Sequence, residues 1–436
     1  MALGGGNFTA MNKILPGSYI NIVSMPRPSN IFGDRGYAAL ALDLNWGPNE
    51  IITIEPAELQ TESLEIFGYS YSDPEMLPIR ELMTEAKVGY IGRLNGDGTK
   101  STATNEGLTI TAKYAGTRGN DISVAIKENI DSLGSYKVET RIAGILVDEQ
   151  EVSAIEELEG NKFVDFTGTG ELTAAAGIRL EGGSNSEVKG ENHSEFLEEL
   201  EKYYFNTVGT LSTESTIKKL YSEYATRLRD SEGVKVQAVV LDFEANHEGT
   251  INVMSETETD PAGFIPWVTG AEAGCPINRS LTNRRYNGEH KINTSYKQRE
   301  LEAATIKGHF MLHKVGDELR VLTDINSFTE FSVDKNSDFA QNQVIRVVDE
   351  VAMSGAKIFN NIHLGKTQND QDGRIALWND FVSHAQTMQD LRAIEDFEPE
   401  HIEVQRGPEK DIVVVDYLIQ PVMAMQKLYM TVRIAA

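Results

Sequence analysis

The sequence predicts a multidomain chain of mixed α/β and α+β type, with a β-sandwich inserted into it. Three observations carry this reading. The 436 residues suffice for about three domains at ~150 residues each. Between Gly92 and Gly183 short β-branched runs separated by turn residues follow one another, as in a small all-β module. From Ser194 onward apolar positions recur at helical spacing and alternate with strand-like runs, the texture of a sheet covered by helices.

The opening MALGGGNFTAMNK is Gly-rich, almost uncharged and aperiodic, so it is floppy unless something holds it. Pro16 and Gly17 mark a turn before a short β-type run over 18–24. A strand is expected over 37–44 and a helix over 78–85. The polar, Gly-rich stretch LNGDGTKSTATNEG reads as a linker. Strands are then expected over 108–114, 122–128, 136–142, 145–151 and 162–167, and LEGGSNSE forms the exit.

A helix over 213–230 places Ile217, Leu220, Tyr221, Tyr224 and Leu228 on one stripe, and Gly233 suits its end. The continuous apolar run 236–243 predicts a strand covered on both faces. Another short strand, 251–254, precedes a helix over 261–273, with Asp260 as cap and Pro261 at its first position. Residues 308–322 read as a β-hairpin. Two strong helices follow over 339–362 and 375–397. Three strands close the chain, over 401–406, 411–419 and 426–434, the last with a buried face of Leu428, Met430, Val432 and Ile434. The divisions expected are an arm (1–24), the N-terminal part of the core (25–92), the inserted sandwich (93–184), an α/β domain (185–334) and a C-terminal α+β domain with its own arm (335–436).

Composition excludes several classes. With 40 Lys+Arg against 66 Asp+Glu the net charge is −26, which argues against nucleic-acid binding because phosphate contact needs a dominant basic surface. The single cysteine, Cys275, excludes a disulfide framework and a multi-cysteine metal site. The most apolar stretch, 411–430, is broken by Asp416, Gln420, Pro421 and Gln426, so no membrane span is expected. The N-terminus lacks the basic and apolar regions of a signal peptide, so synthesis in the cytoplasm is expected.

Each candidate for chemistry meets a structural objection. His309 and His313 are four apart, but on a strand that spacing is ~13 Å, too far to share an ion. Gly365-Lys366-Thr367 resembles the end of a phosphate-binding loop, yet Asn360 stands where glycine is required, so a helix-ending turn is expected. Asp370, Asp372 and Gly373 imitate part of a calcium loop whose twelfth position is Asn379 rather than an acid; a loop that starts a helix is expected. No GxSxG is present, Cys275 carries no catalytic signature, and Glu198-Glu199 belong to a solvated helix face. No catalytic, metal or cofactor site is expected. One asymmetry remains, a locally basic stretch over 275–320 that includes Arg284 and Arg285. It is either ordinary surface variation or a patch that meets an acidic surface on another copy.

Several motifs, in order, resemble the tail sheath proteins of contractile bacteriophages and phage-tail-like bacteriocins. Pro16-Gly17-Ser18-Tyr19 is similar to the PGxY entry of many sheaths, and YAGTRGNDI (114–122) to a signature of their β-sandwich. WVTGAEAGCPINRSLT (267–282), LTDINSFT (322–329) with VIRVVD (344–349), and YMTVRI (429–434) resemble their central helix, a later strand and helix, and the closing strand. Ser327 and Glu272 depart from the family pattern. The resemblance implies an inserted sandwich, an α/β domain called subtilisin-like by shape and without catalytic residues, and a C-terminal α+β domain. It implies hexameric rings stacked into a helical polymer around an inner tail tube, bounded by baseplate and terminator proteins, within a virion or bacteriocin tail.

Assembly by strand exchange is then expected. Tyr19, Ile20, Asn21, Ile22 and Val23 at one end, and Leu428, Tyr429, Met430, Thr431, Val432 and Ile434 at the other, are the candidate contact residues. Gly17 and the turn at Arg406 are the expected flex points. Arg284 and Arg285 are candidates for a charge contact between subunits. By family analogy the C-terminal domain faces the tube, with Arg374, Asp380 and Arg392 as candidates. No nucleic acid, membrane or cofactor is expected as partner. Two other classes stay open: a capsid or surface-layer protein, and an α/β hydrolase built on 190–330.

Overall fold

In the computed structural model of the chain, residues 35–130, 132 and 134–435 are described. The expected arm strand over 18–24 and its candidates Tyr19 to Val23 lie outside them. The described chain begins inside a sheet: β1 (Tyr37–Leu42), β2 (Ile52–Ile54), α1 (Pro56–Phe67), α2 (Leu77–Met83) and β3 (Val88–Arg93). It then leaves for the sandwich, β4 (Thr102–Asn105), β5 (Leu108–Ala112), β6 (Ile122–Glu128), β7 (Tyr136–Ile142), β8 (Ile145–Val152), β9 (Val164–Gly168) and β10 (Ala175–Arg179). The return is through α3 (Gly190–Leu200), β11 (Thr207–Thr210), α4 (Ser215–Arg227), β12 (Gln237–Leu241), β13 (Thr250–Val253), α5 (Ile265–Gly274), α6 (Gln298–Ile306) and β14 (His309–Phe310). A hairpin of β15 (Leu312–Val315) and β16 (Glu318–Val321) follows, then α7 (Asn342–Ile358), α8 (Gln371–Asp390), β17 (Ile402–Arg406) and β18 (Val413–Tyr417).

The main sheet has seven strands in the order β14-β13-β12-β11-β1-β3-β2. All are parallel except β2, which runs against β3. The apolar runs in β1 and β12 have a direct cause, since successive side chains enter opposite layers. Ala39 and Ala41 face α3 and α4, whereas Ala38, Leu40 and Leu42 face α1 and α2. Ala238 and Val240 likewise enter the α3–α4 layer, and Val239 and Leu241 the layer of α5.

The sandwich packs a four-stranded sheet, β10-β6-β7-β8, on a three-stranded one, β4-β5-β9. Its core takes in residues of the body, Leu64 of α1 at its margin and one tryptophan at its centre. Trp46, from the loop between β1 and β2, is fully buried there, 5.3 Å from the Tyr114 ring and 6.1 Å from that of Phe163. The chain crosses into and out of the sandwich side by side, with Thr99 and Ser184 exchanging backbone hydrogen bonds of 3.0 and 3.1 Å.

Several expectations are corrected. The supposed linker contains β4, because Thr102–Asn105 finds a partner in β5. The helix expected from Pro261 starts at Ile265; Asp260 Oδ1 instead accepts the Ala262 N–H (3.1 Å) in a preceding turn. The last helix ends at Asp390 rather than Phe397, with Arg392 in the left-handed region at φ 60°. The expected hairpin over 308–322 splits, His309 and Phe310 joining the main sheet as β14. The closing strand over 426–434 does not form. Its residues make no ladder among the described residues, and a strand without a partner has none of the hydrogen bonds that define one.

Candidate functional site

The C-terminal segment leaves the body along α7. Val422 N–H bonds Ala393 O (2.9 Å), and Gln343 receives the chain by donating to Val422 O (3.1 Å) and accepting from Ala424 N–H (2.9 Å). Beyond Gln426, Leu428, Tyr429, Met430, Val432 and Ile434 are 85, 90, 74, 73 and 93% exposed. The expected buried face is therefore open, and five large apolar side chains stand in solvent at alternating and neighbouring positions. Thr431 lies exposed among them.

A few residues before this segment lies the two-stranded sheet β17–β18, antiparallel from Ile402↔Tyr417 to Arg406↔Val413. It rests on α8 through Trp378 Nε1–H to Ile402 O (2.9 Å) and the Phe381–Tyr417 ring pair. Neither strand has a second neighbour among the described residues, so both outer edges present unpaired backbone groups. Gly407 opens the turn between them, where a Cβ would meet Ile412 at 2.4 Å.

The charged candidates are engaged within the chain. Arg284 pairs with Glu85 at 2.6 Å, and Arg285 with Glu318 at 3.3 Å. Arg374 donates to Asn369 O and Oδ1 (3.1 and 3.2 Å). Asp380 accepts from His363 at 2.7 Å, and the other ring nitrogen of His363 meets the Thr367 hydroxyl at 3.0 Å. This places Gly365-Lys366-Thr367 in the turn after α7, as expected. Asp370 caps α8, accepting the Gly373 N–H at 2.8 Å. Arg392 is exposed just past the end of α8.

Other constellations resolve into structure. Asp230, His247 and Glu248 lie close enough together to suggest a metal. However, His247 Nδ1 accepts the Gly249 N–H (3.0 Å), which leaves the proton on Nε2, facing Asp230 Oδ2 at 3.2 Å. A ligating imidazole would need that nitrogen bare. The crevice outside the carboxyl ends of β1 and β11, where such sheets reverse strand order and often hold ligands, is lined by Asp43, His193, Thr210 and Ser212. There the His193 ring is tied to the Tyr221 hydroxyl (3.1 Å). The Thr210 and Ser212 hydroxyls accept backbone N–H groups of Ser212 and Glu214 (3.2 and 3.3 Å).

Sequence reasoning missed a buried ionic cluster that joins the segments. Arg346 of α7, 1% exposed, donates to Glu272 Oε2 of α5 (2.5 Å) and to Asp324 Oδ2 (2.6 Å), both themselves buried. Asp324 Oδ2 also accepts from Leu281 N–H and the Ser280 hydroxyl. Arg35 donates to the carbonyls of Glu272 (2.8 Å) and Cys275 (3.1 Å). Burial, then the negative charge of Asp324, pushes the Glu272 carboxyl well above the usual range. Burial opposes ionisation of Asp324 too, but the Arg346 charge and its hydrogen bonds hold it below its ordinary value. Burial lifts the Cys275 thiol to about 11, the state of an unreactive cysteine. Nearby, Arg229 grips Asp349 of α7 with two bonds of 2.8 and 2.7 Å. Glu272 is thus the partner of a cation rather than an interruption of its helix.

Comparison with known proteins gives consistent matches along the chain. Four family models match in sequence: the tail sheath protein Gp18 domain III N-terminal region (35–94), the phage tail sheath protein beta-sandwich domain (96–185), its central domain (186–327) and the phage tail sheath C-terminal domain (334–435). Two Bacillus subtilis proteins are similar over 99% of this chain and 100% of their own: the uncharacterized protein YqbK at 31% identity and the phage-like element PBSX protein XkdK at 30%. The crystal structure of a sheath tail protein from Desulfitobacterium hafniense superposes with TM-score 0.83 at 35% identity, covering 93% of this chain and 96% of that one. The sheath tail protein Lin1278 from Listeria innocua gives 0.77 at 29% over 89% and 92%. The contracted helical sheath of the anti-feeding prophage shares the fold at 10% identity, with TM-score 0.56 over 97% of this chain and 99% of that one.

Proposed function

The chain belongs to the phage tail sheath family and is a structural sheath subunit of a contractile injection system; from that premise we propose how its copies join and act. They polymerise as stacked hexameric rings into a helical cylinder around an inner tail tube, and the cylinder shortens and widens to drive the tube through a bacterial envelope. The reading is supported by the apolar segment beyond Gln426, whose large side chains stand exposed on the described fold.

An acceptor for that segment is present on the same chain. A two-stranded sheet is marginal alone, and β17–β18 offers open edges to an extended arm from a second copy. Donor and acceptor occupy different places on one subunit, so the contact can run head-to-tail, and where its rotation does not close it generates a helix. Ladder hydrogen bonds in an added strand survive reorientation of the body if the connecting segment bends. The terminal arm containing Tyr19 to Val23 is proposed to act in the same way.

The energy of contraction lies in the difference between two packings of the same subunits. The tube side is proposed to be α8, with Arg374, Asp380 and Arg392 near its ends and on its length. Baseplate and terminator proteins bound the polymer, and the subunit is made in the cytoplasm before incorporation into a phage or bacteriocin tail. A hydrolytic role gains no support, since the His193 ring in the crevice of the α/β domain is tied to the Tyr221 hydroxyl (3.1 Å) and not to a serine or threonine.

Electron microscopy of the purified protein tests this. Hollow cylinders are expected, and a truncation ending at Gln426 is expected to stay monomeric while keeping its secondary structure. Cylinders of normal length from that truncation would sink the strand-addition model. Flat sheets or closed shells from the full chain would favour a surface-layer or capsid protein.

A further inference from the structure

The main sheet carries unpaired charge of opposite sign at its two ends. At the β3 end a groove of ≈330 Å³ lies beside the carboxyl end of the strand, with Glu50, Asp97 and Glu195 on its rim. Glu191 stands one turn before Glu195 on α3. All four are exposed. Glu199 on the same helix and Glu201 just past it are neutralised by Lys202 and Arg227, but Glu50, Glu191 and Glu195 have no such partner among the described residues. Asp97 accepts from Asn49 (3.1 Å) and interacts with the charge of Arg93. The cation beneath the groove, Arg93, is buried and turned to the carbonyls of Leu44, Gly47 and Ala115.

At the β14 end four exposed cations stand outside any ion pair among the described residues, with the exposed acids Glu256, Glu258 and Glu300 beside them. Lys291 lies beside the carboxyl end of β13, fixed by the bonds Glu258 N–H to Lys291 O (3.0 Å) and Asn293 N–H to Glu256 O (3.1 Å). Lys297 is the residue before α6, Arg299 lies in its first turn, and Lys314 is on β15. These four are exposed and outside the ion pairs that occupy Arg284 and Arg285. Lys297 and Arg299 also sit at a helix N-terminus, whose partial positive charge disfavours cations. Glu300 already caps this helix end by accepting the Lys297 N–H (2.8 Å), so an incoming carboxylate gains from the two side chains rather than from the helix.

The two patches lie on the same rim, that of the carboxyl strand ends, yet β3 and β14 are five strand spacings apart, about 24 Å. Neither patch can neutralise the other within one chain. Complementary surfaces at opposite ends of a body are what a head-to-tail contact requires. We propose that the Glu50, Asp97, Glu191 and Glu195 rim of one copy receives the Lys291, Lys297, Arg299 and Lys314 edge of the next. This body-to-body contact is separate from the arms and rests on the sheath reading above.

A charge-swap experiment with the full chain tests it. E191K/E195K alone and K297E/R299E alone are each expected to raise the protein concentration needed for cylinders at least about tenfold, because like charges then face each other. Mixed in equal amounts, the two variants are expected to copolymerise at nearly the unmodified concentration, since each supplies what the other has lost. Circular dichroism reports whether each is folded; the milder E191Q/E195Q and K297Q/R299Q pairs replace any that is not, with a smaller loss and a weaker salt dependence expected. Polymerisation of a folded single-patch variant at the unmodified concentration overturns the contact, as does a mixture that fails to recover. If the unmodified chain forms no cylinders, it is the sheath assembly that fails; if only the swap fails, the assembly stands and this contact falls.

Discussion

Arg346 shows how much of this fold turns on single side chains. Its guanidinium meets two buried carboxyl groups of different standing, Glu272 with a raised pKa and Asp324 with a lowered one. Glu272 binds its proton more tightly folded than unfolded. Its contribution to stability is therefore complete below the ordinary glutamate value and is lost as pH rises through the raised one. Asp324 behaves oppositely, its contribution being lost as pH falls through the lowered value. E272Q, permanently neutral, should stay within about 1 kcal/mol of the unmodified protein near neutrality and flatten the decline on the alkaline side. D324N should cost ~3–5 kcal/mol at neutral pH, since it strands a buried cation. Denaturant titrations across pH read both; equal losses for the two would contradict the assignment. None of this was legible from the chain. Glu272 and Arg346 are 74 residues apart, and no spacing rule links them with Asp324.

Among the elements, the contact between α2 and α5 explains a motif that the sequence displays without a reason. Gly270 and Gly274 let the helices approach so closely that an added Cβ would lie 2.0 Å from Leu82 O and 2.1 Å from Glu85 O. Neither neighbour is a side chain that can swing away. G270A should therefore destabilise the protein by about 1–3 kcal/mol through forced separation of the pair, measured by thermal or denaturant unfolding. A change within 0.5 kcal/mol, the ordinary range for a surface site, would refute the close packing. Elements with dense apolar periodicity, such as β12, α4 and α7, were legible. α1 was not, because its buried stripe is only Leu59, Ser63 and Phe67. The closing strand was misread for a deeper reason: alternation records a preference for burial but does not say whose sheet supplies it.

The molecule as a whole is a body with one docked module. Arg346 and the Arg229–Asp349 pair bind α7 to the α/β layers, whereas the sandwich is held chiefly through Trp46 and a few side-chain bonds such as Arg118 to Gly68 O (2.7 Å). W46A should cost ~3–5 kcal/mol, concentrated in the module. In hydrogen exchange, the amides of β5, β6 and β9 should lose protection while those of β11 to β13 retain it. Uniform loss over both would show that the two unfold as one. The Gly-rich flanks and β-type runs of the sandwich were visible in the sequence, but the tryptophan that seats it lies some fifty residues outside the first of its strands. The paired crossing at Thr99 and Ser184 has one more consequence. The chain enters and leaves the sandwich through that one stem, so everything else that seats the module, Trp46 included, is non-covalent and can open without displacing the strands of the main sheet. Any segment grafted between Thr99 and Ser184 must therefore also cover Trp46, which the present sandwich buries completely.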